Sequence, residues 1–238
     1  MKQWAIIGAS GAIGAAFTRQ LAVQGEAVRV YAFSRRGTRF EQPNIIQGSI
    51  DLTDEASVRE AAAMASEEGA LDGVILATGI LHADDLAPEK SLKDISAESF
   101  ARVFAMNTIG PALVMKHFLP ALQREEKAVF AALSARVGSI SDNYLGGWYA
   151  YRASKAALNM LIKNASIEMA RRYKQAVIVG LHPGTVDSPL SKPFQAHVAP
   201  DHLFAAEYSA SRMLAVLEKL TPADSGKCVA YDGAEILP

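Results

Sequence analysis

The sequence predicts a doubly wound α/β fold: a seven-stranded parallel sheet with helices on both faces, in a single domain spanning residues 1–238. Three observations predict it. Short runs that are apolar throughout recur along the chain, as expected of strands buried on both faces. Helical patterns separate these runs, which implies right-handed crossovers between parallel strands. The 238 residues are 50% apolar and 21% charged. That is a globular balance, and a domain of this size buries roughly 70–75% of its unfolded surface.

The elements follow in order. Trp4-Ala5-Ile6-Ile7 is the first strand, followed by a glycine turn and a helix from Ala12 to Gln24. Val28–Phe33 is the second strand, and Asn44–Gln47 is a short third before a helix opening near Asp54. Gly73–Ala77 is the fourth strand, and a long helical pattern runs from Ala97 to Leu122. Ala128–Leu133 is the fifth, followed by a helix from Tyr149 to Arg172. Ala176–Leu181 is the sixth, then come a helix from Ala205 to Leu220 and a seventh strand at Lys227–Ala230. Sheets of this kind bind ligands beyond the carboxyl ends of their strands, so functional residues are expected just after each run.

Composition removes several classes. The net charge of −1 argues against a dedicated nucleic-acid binder. No apolar run approaches the ~18 residues of a membrane span. Met1-Lys2-Gln3 before an apolar stretch invites a secretory-signal reading, but Gly8, Gly11 and Gly14 interrupt it at regular spacing without a cleavage site. The single Cys228 excludes an internal disulfide, and a cytoplasmic location is expected.

Gly8-Ala9-Ser10-Gly11-Ala12-Ile13-Gly14 links the first strand to the first helix. Gly8 permits a tight turn, Gly11 lets backbone approach a ligand, and Gly14 allows close helix–strand packing. Open amides at the helix start then favour a pyrophosphate, although the spacing is GxxGxxG and such turns also occur without ligands. A carboxylate about 20 residues on would read a ribose 2′-hydroxyl. Ser34, Arg35 and Arg36 stand there instead. Two guanidinium groups and a hydroxyl suit a 2′-phosphate, so NADP(H) is favoured over NAD(H). The alternative is that both arginines simply face water.

Tyr151 and Lys155 are four residues apart, on one face of a helix. A lysine charge beside a phenol is expected to lower its pKa and fit it for proton transfer to a substrate oxygen.

With these residues the chain resembles the short-chain dehydrogenase/reductase family, which has a Rossmann-type fold. The resemblance is carried by Gly8 to Gly14, Asp51-Leu52, Ala77-Thr78-Gly79, Asn107, Ser134, Tyr151 to Lys155 and Pro183-Gly184-Thr185-Val186. These fall in family order over almost the whole chain. Val137 to Asn143 and Gly146 to Tyr151 are similar to the C-factor-like and sniffer-like branch. The resemblance implies Tyr151 as general acid/base, with Lys155 lowering its pKa and holding the nicotinamide ribose. It implies a relay water at Asn107, whose helix is distorted ahead of Pro111. Asp51 and Leu52 would contact the adenine end. Ser10, Ile13, Ala77 and Gly79 would line the cofactor, and Pro183, Gly184, Val186 and Ser188 would close over the nicotinamide.

The catalytic serine departs from the pattern. Aligning Gly138 with the family glycine puts Ala135 at the serine position. Ser134 is adjacent and is taken as the catalytic serine, with Ser139 the alternative. Adjacent strand residues point to opposite faces, so Ser134 substitutes only if the strand has already ended.

The five histidines, His82, His117, His182, His197 and His202, show no zinc spacing, and no metal is expected. Leu190, Pro193, Phe194 and Val198 read as a substrate lid or as surface covered by a partner subunit. Trp148 and Tyr149 shape a substrate wall or simply pack. The apolar surface of the Ala97 and Tyr149 helices, with the family's habit of pairing them across subunits, implies a homodimer or homotetramer.

The expected function is an NADP(H)-dependent carbonyl reductase or alcohol dehydrogenase acting on a small carbonyl or alcohol, without nucleic-acid or membrane partners. The competing reading is an NADP(H)-binding signalling or sensor protein with little turnover.

Overall fold

All seven expected strands pair in parallel in the computed structural model, which describes every residue except Glu26 and Thr38 and leaves aside the side chain of His197. In chain order the first elements are β1 (Lys2–Ile7), α1 (Ala12–Ala22), β2 (Val28–Ser34), β3 (Ile45–Ser49), α2 (Glu55–Ser66) and β4 (Gly73–Leu76). Next come α3 (Ala97–Phe104), α4 (Gly110–Phe118), β5 (Ala128–Leu133), α5 (Tyr149–Met169) and β6 (Ala176–His182). A small pair, β7 (Thr185–Val186) and β8 (Leu203–Phe204), precedes α6 (Ala206–Lys219), β9 (Cys228–Ala230) and β10 (Glu235–Ile236). The main sheet has the order β10-β9-β6-β5-β4-β1-β2-β3.

The count of seven is corrected to eight. β10 joins the edge antiparallel to β9, after a turn in which Gly233 takes φ +92. Two residues are too few to show a strand period, so no pattern in the chain signals it.

Each strand is apolar on both faces because each face has its own core. Ile7, Phe33, Phe130 and Ile178 pack with Val58, Phe118 and Leu158 of α2, α4 and α5. Ile6, Val30, Ala131 and Val179 pack with Phe17, Leu21 and Met213 of α1 and α6. Each of these Val, Leu, Ile, Phe and Met side chains contributes roughly 1.5–3 kcal/mol by leaving water, and Ala131 less.

The long helix expected from Ala97 to Leu122 is broken. Residues Ala105–Ile109 form a π-helical turn in which the Gly110 N–H reaches back five residues to the Ala105 carbonyl. Pro111 explains it, since it lacks the N–H that would bond Asn107 and its ring crowds that carbonyl. The chain ends this region with a 3-10 turn, Leu119–Ala121, containing Pro120. No helix among the described residues is long and apolar enough to cross a membrane.

Candidate active site

Strand order reverses between β1 and β4, and a cavity of about 690 Å³ opens at the carboxyl ends of the strands there. Its wall includes Ser10, Gly11 and Ile13 after β1, Ala77 and Gly79 after β4, and Ala135 after β5. Tyr151 and Lys155 of α5, together with Pro183, Gly184, Val186 and Ser188 after β6, complete it.

The glycine turn is fixed by contact as well as by φ. A Cβ on Gly8, at φ +93, would lie 2.7 Å from the Ala77 carbonyl oxygen. One on Gly14 would lie 2.2 Å from the Gly8 carbonyl oxygen. Gly11 caps α1 without any side-chain hydrogen bond, leaving first-turn amides open to a ligand. Beside this turn, the Thr78 hydroxyl is buried with no partner among the described residues. The bare glycine cradle and the orphaned hydroxyl fit a dinucleotide lying along the cleft.

Ser34 is buried at the end of β2, and Arg35 and Arg36 follow it on the exposed turn. Asp51 accepts hydrogen bonds from the Thr53 backbone N–H (2.9 Å) and hydroxyl (2.7 Å). Those bonds, with the Arg35 charge adding a smaller share, hold its carboxyl below the ordinary range. The Leu52 side chain is buried in the core beside Gly110.

Tyr151 and Lys155 are both buried, at 8% and 3% exposure. Lys155 Nζ donates to the Leu133 carbonyl (2.8 Å) and lies 5.8 Å from the Tyr151 ring centroid. The expected lowering of the tyrosine is reversed. Burial pushes the phenol up to about 12 and the Lys155 ammonium down to about 8. Desolvation disfavours both charged forms and sets the direction of both shifts. The Tyr151 hydroxyl has no hydrogen-bond partner among the described residues.

Asn107 sits in the π turn, fully buried. Its Oδ1 accepts from the Ile80 N–H (2.8 Å), and its Nδ2 donates to the Ile80 carbonyl (2.8 Å) and to Ser154 Oγ (3.1 Å). Ser154 in turn donates to the Tyr151 carbonyl (2.7 Å). Asn107 thereby ties the loop after β4 to the first turn of α5. Gly79 lies between it and Lys155, and a Cβ there would stand 3.5 Å from Asn107 Oδ1 and from Lys155 Nζ.

The aromatic wall comes from distant segments. Trp148 takes φ +50 to cap α5 and stands edge-on to Tyr151 at 6.2 Å. Phe194, on the 3-10 segment Lys192–His197, meets Trp148 at 4.9 Å and His82 at 5.7 Å. His82 Nε2 lies 3.1 Å from the Pro189 carbonyl and 3.2 Å from that of Leu190, so its N–H donates to the backbone of the loop after β7. Trp148, Phe194, Leu190 and Val198 all line the cavity, whereas Tyr149 does not. Among the described residues, no group of three His, Cys, Asp or Glu side chains could hold a metal.

The sequence model of the short chain dehydrogenase family matches residues 2–199. This chain belongs to that family. Among relatives, a 1-hydroxy-2-glutathionyl-2-methyl-3-butene dehydrogenase of Rhodococcus sp. (strain AD45) is 30% identical over 233 residues, 96% of each chain. The C-signal protein of Myxococcus xanthus is 37% identical over 146 residues, 61% of this chain and 82% of that one. An NADPH-bound carbonyl reductase from chicken fatty liver superimposes with TM-score 0.85 at 27% identity, covering 100% of this chain and 99% of that one. Carbonyl reductase Sniffer of D. melanogaster shares the fold at TM-score 0.81 and 21% identity, over the whole of both chains.

As a short-chain dehydrogenase, the chain is unusual at the serine position. Ala135 lines the cavity there without a hydroxyl. Ser134, although on the cavity wall, donates its hydroxyl to Asn159 Oδ1 of α5 (2.6 Å). Its Cβ still faces Gly180 of β6, so the strand's alternation persists to this residue and turns the hydroxyl under the helix. The Ser139 hydroxyl accepts from the Asp142 N–H (3.1 Å) and sits 3.3 Å from Ser141 Oγ, and Ser139 is not on the cavity wall. Sequence reasoning passed over His182, which does line the cavity. The signal was present: His182 directly follows the sixth strand run, where ligand-facing residues are expected.

Proposed function

We propose that this short-chain dehydrogenase is an NADP(H)-dependent carbonyl reductase or alcohol dehydrogenase working on an apolar carbonyl or alcohol. The observation that carries the reading is the buried Tyr151–Lys155 pair on the wall of the same cavity as the glycine turn. When bound, the nicotinamide supplies hydride to the carbonyl carbon. Tyr151 donates its proton to the carbonyl oxygen; a phenol with a pKa near 12 stays protonated at neutral pH and suits the reductive direction. Lys155 holds the cofactor ribose, and Asn107, through Ser154, holds the geometry of the first turn of α5. Ser10, Gly11 and Ile13 cradle the pyrophosphate, and Arg35 and Arg36 beside Ser34 meet the 2′-phosphate. Trp148, Phe194 and Leu190 exclude water and select an apolar substrate.

NADP(H) as the cofactor agrees with the NADPH-bound chicken reductase. Ile109, Met160 and Ile167 expose apolar side chains on α5 and the π turn, which supports a homodimer or homotetramer. A cytoplasmic protein is consistent with the free, buried Cys228.

The experiment is NADPH oxidation against a panel of aldehydes and ketones, with Tyr151→Phe beside the wild type. Turnover is expected with apolar carbonyls, and Tyr151→Phe should lower it by roughly 10²–10⁴-fold with NADPH affinity near wild type. Tight NADPH binding with no turnover on any compound would favour the sensor reading, to which Ala135 at the serine position points.

A further inference from the structure

A carbonyl oxygen gains negative charge as hydride adds, and a second hydrogen-bond donor beside the proton donor lowers that barrier. Tyr151 is one donor. The hydroxyl expected to be the other is missing at Ala135, committed to Asn159 at Ser134 and off the cavity wall at Ser139.

His182 ends β6 and lines the cavity together with Tyr151 and Ala135. The Arg136 backbone N–H donates to its Nδ1 at 3.4 Å. A ring nitrogen that accepts carries no proton, so the neutral imidazole holds its proton on Nε2. Burial, reinforced by the Arg136 charge and opposed by Asp232, holds the ring's pKa down to about 4, and the ring is neutral at working pH. No described residue hydrogen-bonds Nε2.

We propose that His182 is the second catalytic donor, its Nε2–H hydrogen-bonding the substrate oxygen in place of the hydroxyl absent at Ala135. The inference rests on the carbonyl-reductase reading. In the step itself, hydride from NADPH adds to the carbonyl carbon, the C=O π pair moves onto oxygen, and oxygen takes the Tyr151 proton. His182 keeps its own proton and stabilises the charge in transit.

Two near-isosteres separate this role from a structural brace to Arg136. His182→Asn keeps an acceptor where Nδ1 stands but cannot reach as far as Nε2. His182→Gln places an amide N–H near Nε2. NADPH affinity and steady-state reduction of the best panel substrate are measured for both. The expected result is a kcat about 10²-fold lower in His182→Asn, the scale of one lost oxyanion donor, with KM and NADPH affinity near wild type and substantial recovery in His182→Gln. A wild-type kcat in His182→Asn, or equal losses in both variants with NADPH binding intact, would overturn the proposal and leave the reductase reading standing. Absence of wild-type turnover would remove both. Should either variant fail to bind NADPH, the wild-type protein decides: the His182 Nε2–H proton resonance should move downfield when a carbonyl ligand joins the NADP⁺ complex. An unmoved resonance would also overturn the proposal.

Discussion

The two halves of the cleft are built differently. The half after β1 is made of backbone: Gly8 and Gly14 leave no room for side chains, and a Cβ at Gly14 would strike the Gly8 carbonyl at 2.2 Å. The half fed by the loops after β4, β5 and β6 is made of side chains: His82, Trp148, His182 and Phe194, drawn from four segments. Backbone geometry fixes a shape that suits one kind of ligand, whereas side chains can be exchanged without disturbing the sheet. On the proposed reading the first half takes the cofactor and the second sets the substrate.

That contrast can be broken in either half. The largest effect is expected from Gly14→Val, which forces the turn apart. Its NADPH dissociation constant should rise by about 10²-fold or more while the fold, followed by circular dichroism, is retained. A variant that binds NADPH like wild type would show that the turn does not hold the cofactor. The double variant Arg35→Ala with Arg36→Ala is next. NADPH binding should weaken by about 10–100-fold, and NADH binding should hardly change, because only a 2′-phosphate loses its charge-assisted bonds. Equal losses for both cofactors would show that these arginines do not read the phosphate.

The site residues between the halves give a pH prediction. Burial holds Lys155 down to about 8, so its charge is present below that pH and lost above it. Tyr151, pushed up to about 12, keeps its proton throughout. Reduction should therefore run level from pH 6 to 8 and fall above pH 8, by up to about tenfold per unit. A rate that climbs through pH 9 would indicate that a phenolate, not a phenol, serves the reductive step. The smallest effect is expected in the lid. Phe194→Ala removes the ring that meets Trp148 and His82. KM for bulky apolar carbonyls should rise several-fold, roughly the 1–3 kcal/mol of one apolar contact set, with kcat little changed. An unaltered KM would place Phe194 outside substrate recognition.

The same division decides how much the sequence disclosed. The seven parallel strands and the glycine turn were legible because apolar runs and fixed glycine offsets are local signals. Tyr151 and Lys155 were legible because one helical turn separates them. Ser134 looked apt because it stands next to the expected serine. Which way its hydroxyl points depends on where β5 stops alternating, and Asn159 of α5 captures it. The direction of the Tyr151 shift was not legible, because charge proximity can be read from spacing while burial depends on everything packed around the pair. His82, Trp148 and Phe194 meet only through tertiary structure, and no spacing in the chain announces them. β10 escaped because two residues carry no period.

A crystal structure of the wild-type protein with NADPH and a carbonyl inhibitor tests the central claim most directly. The account predicts the pyrophosphate against Ser10 and Gly11, the nicotinamide beside Lys155, and the inhibitor oxygen within about 3 Å of the Tyr151 hydroxyl. A Tyr151 hydroxyl turned away from the inhibitor oxygen, or a dinucleotide lying outside this cleft, would contradict it.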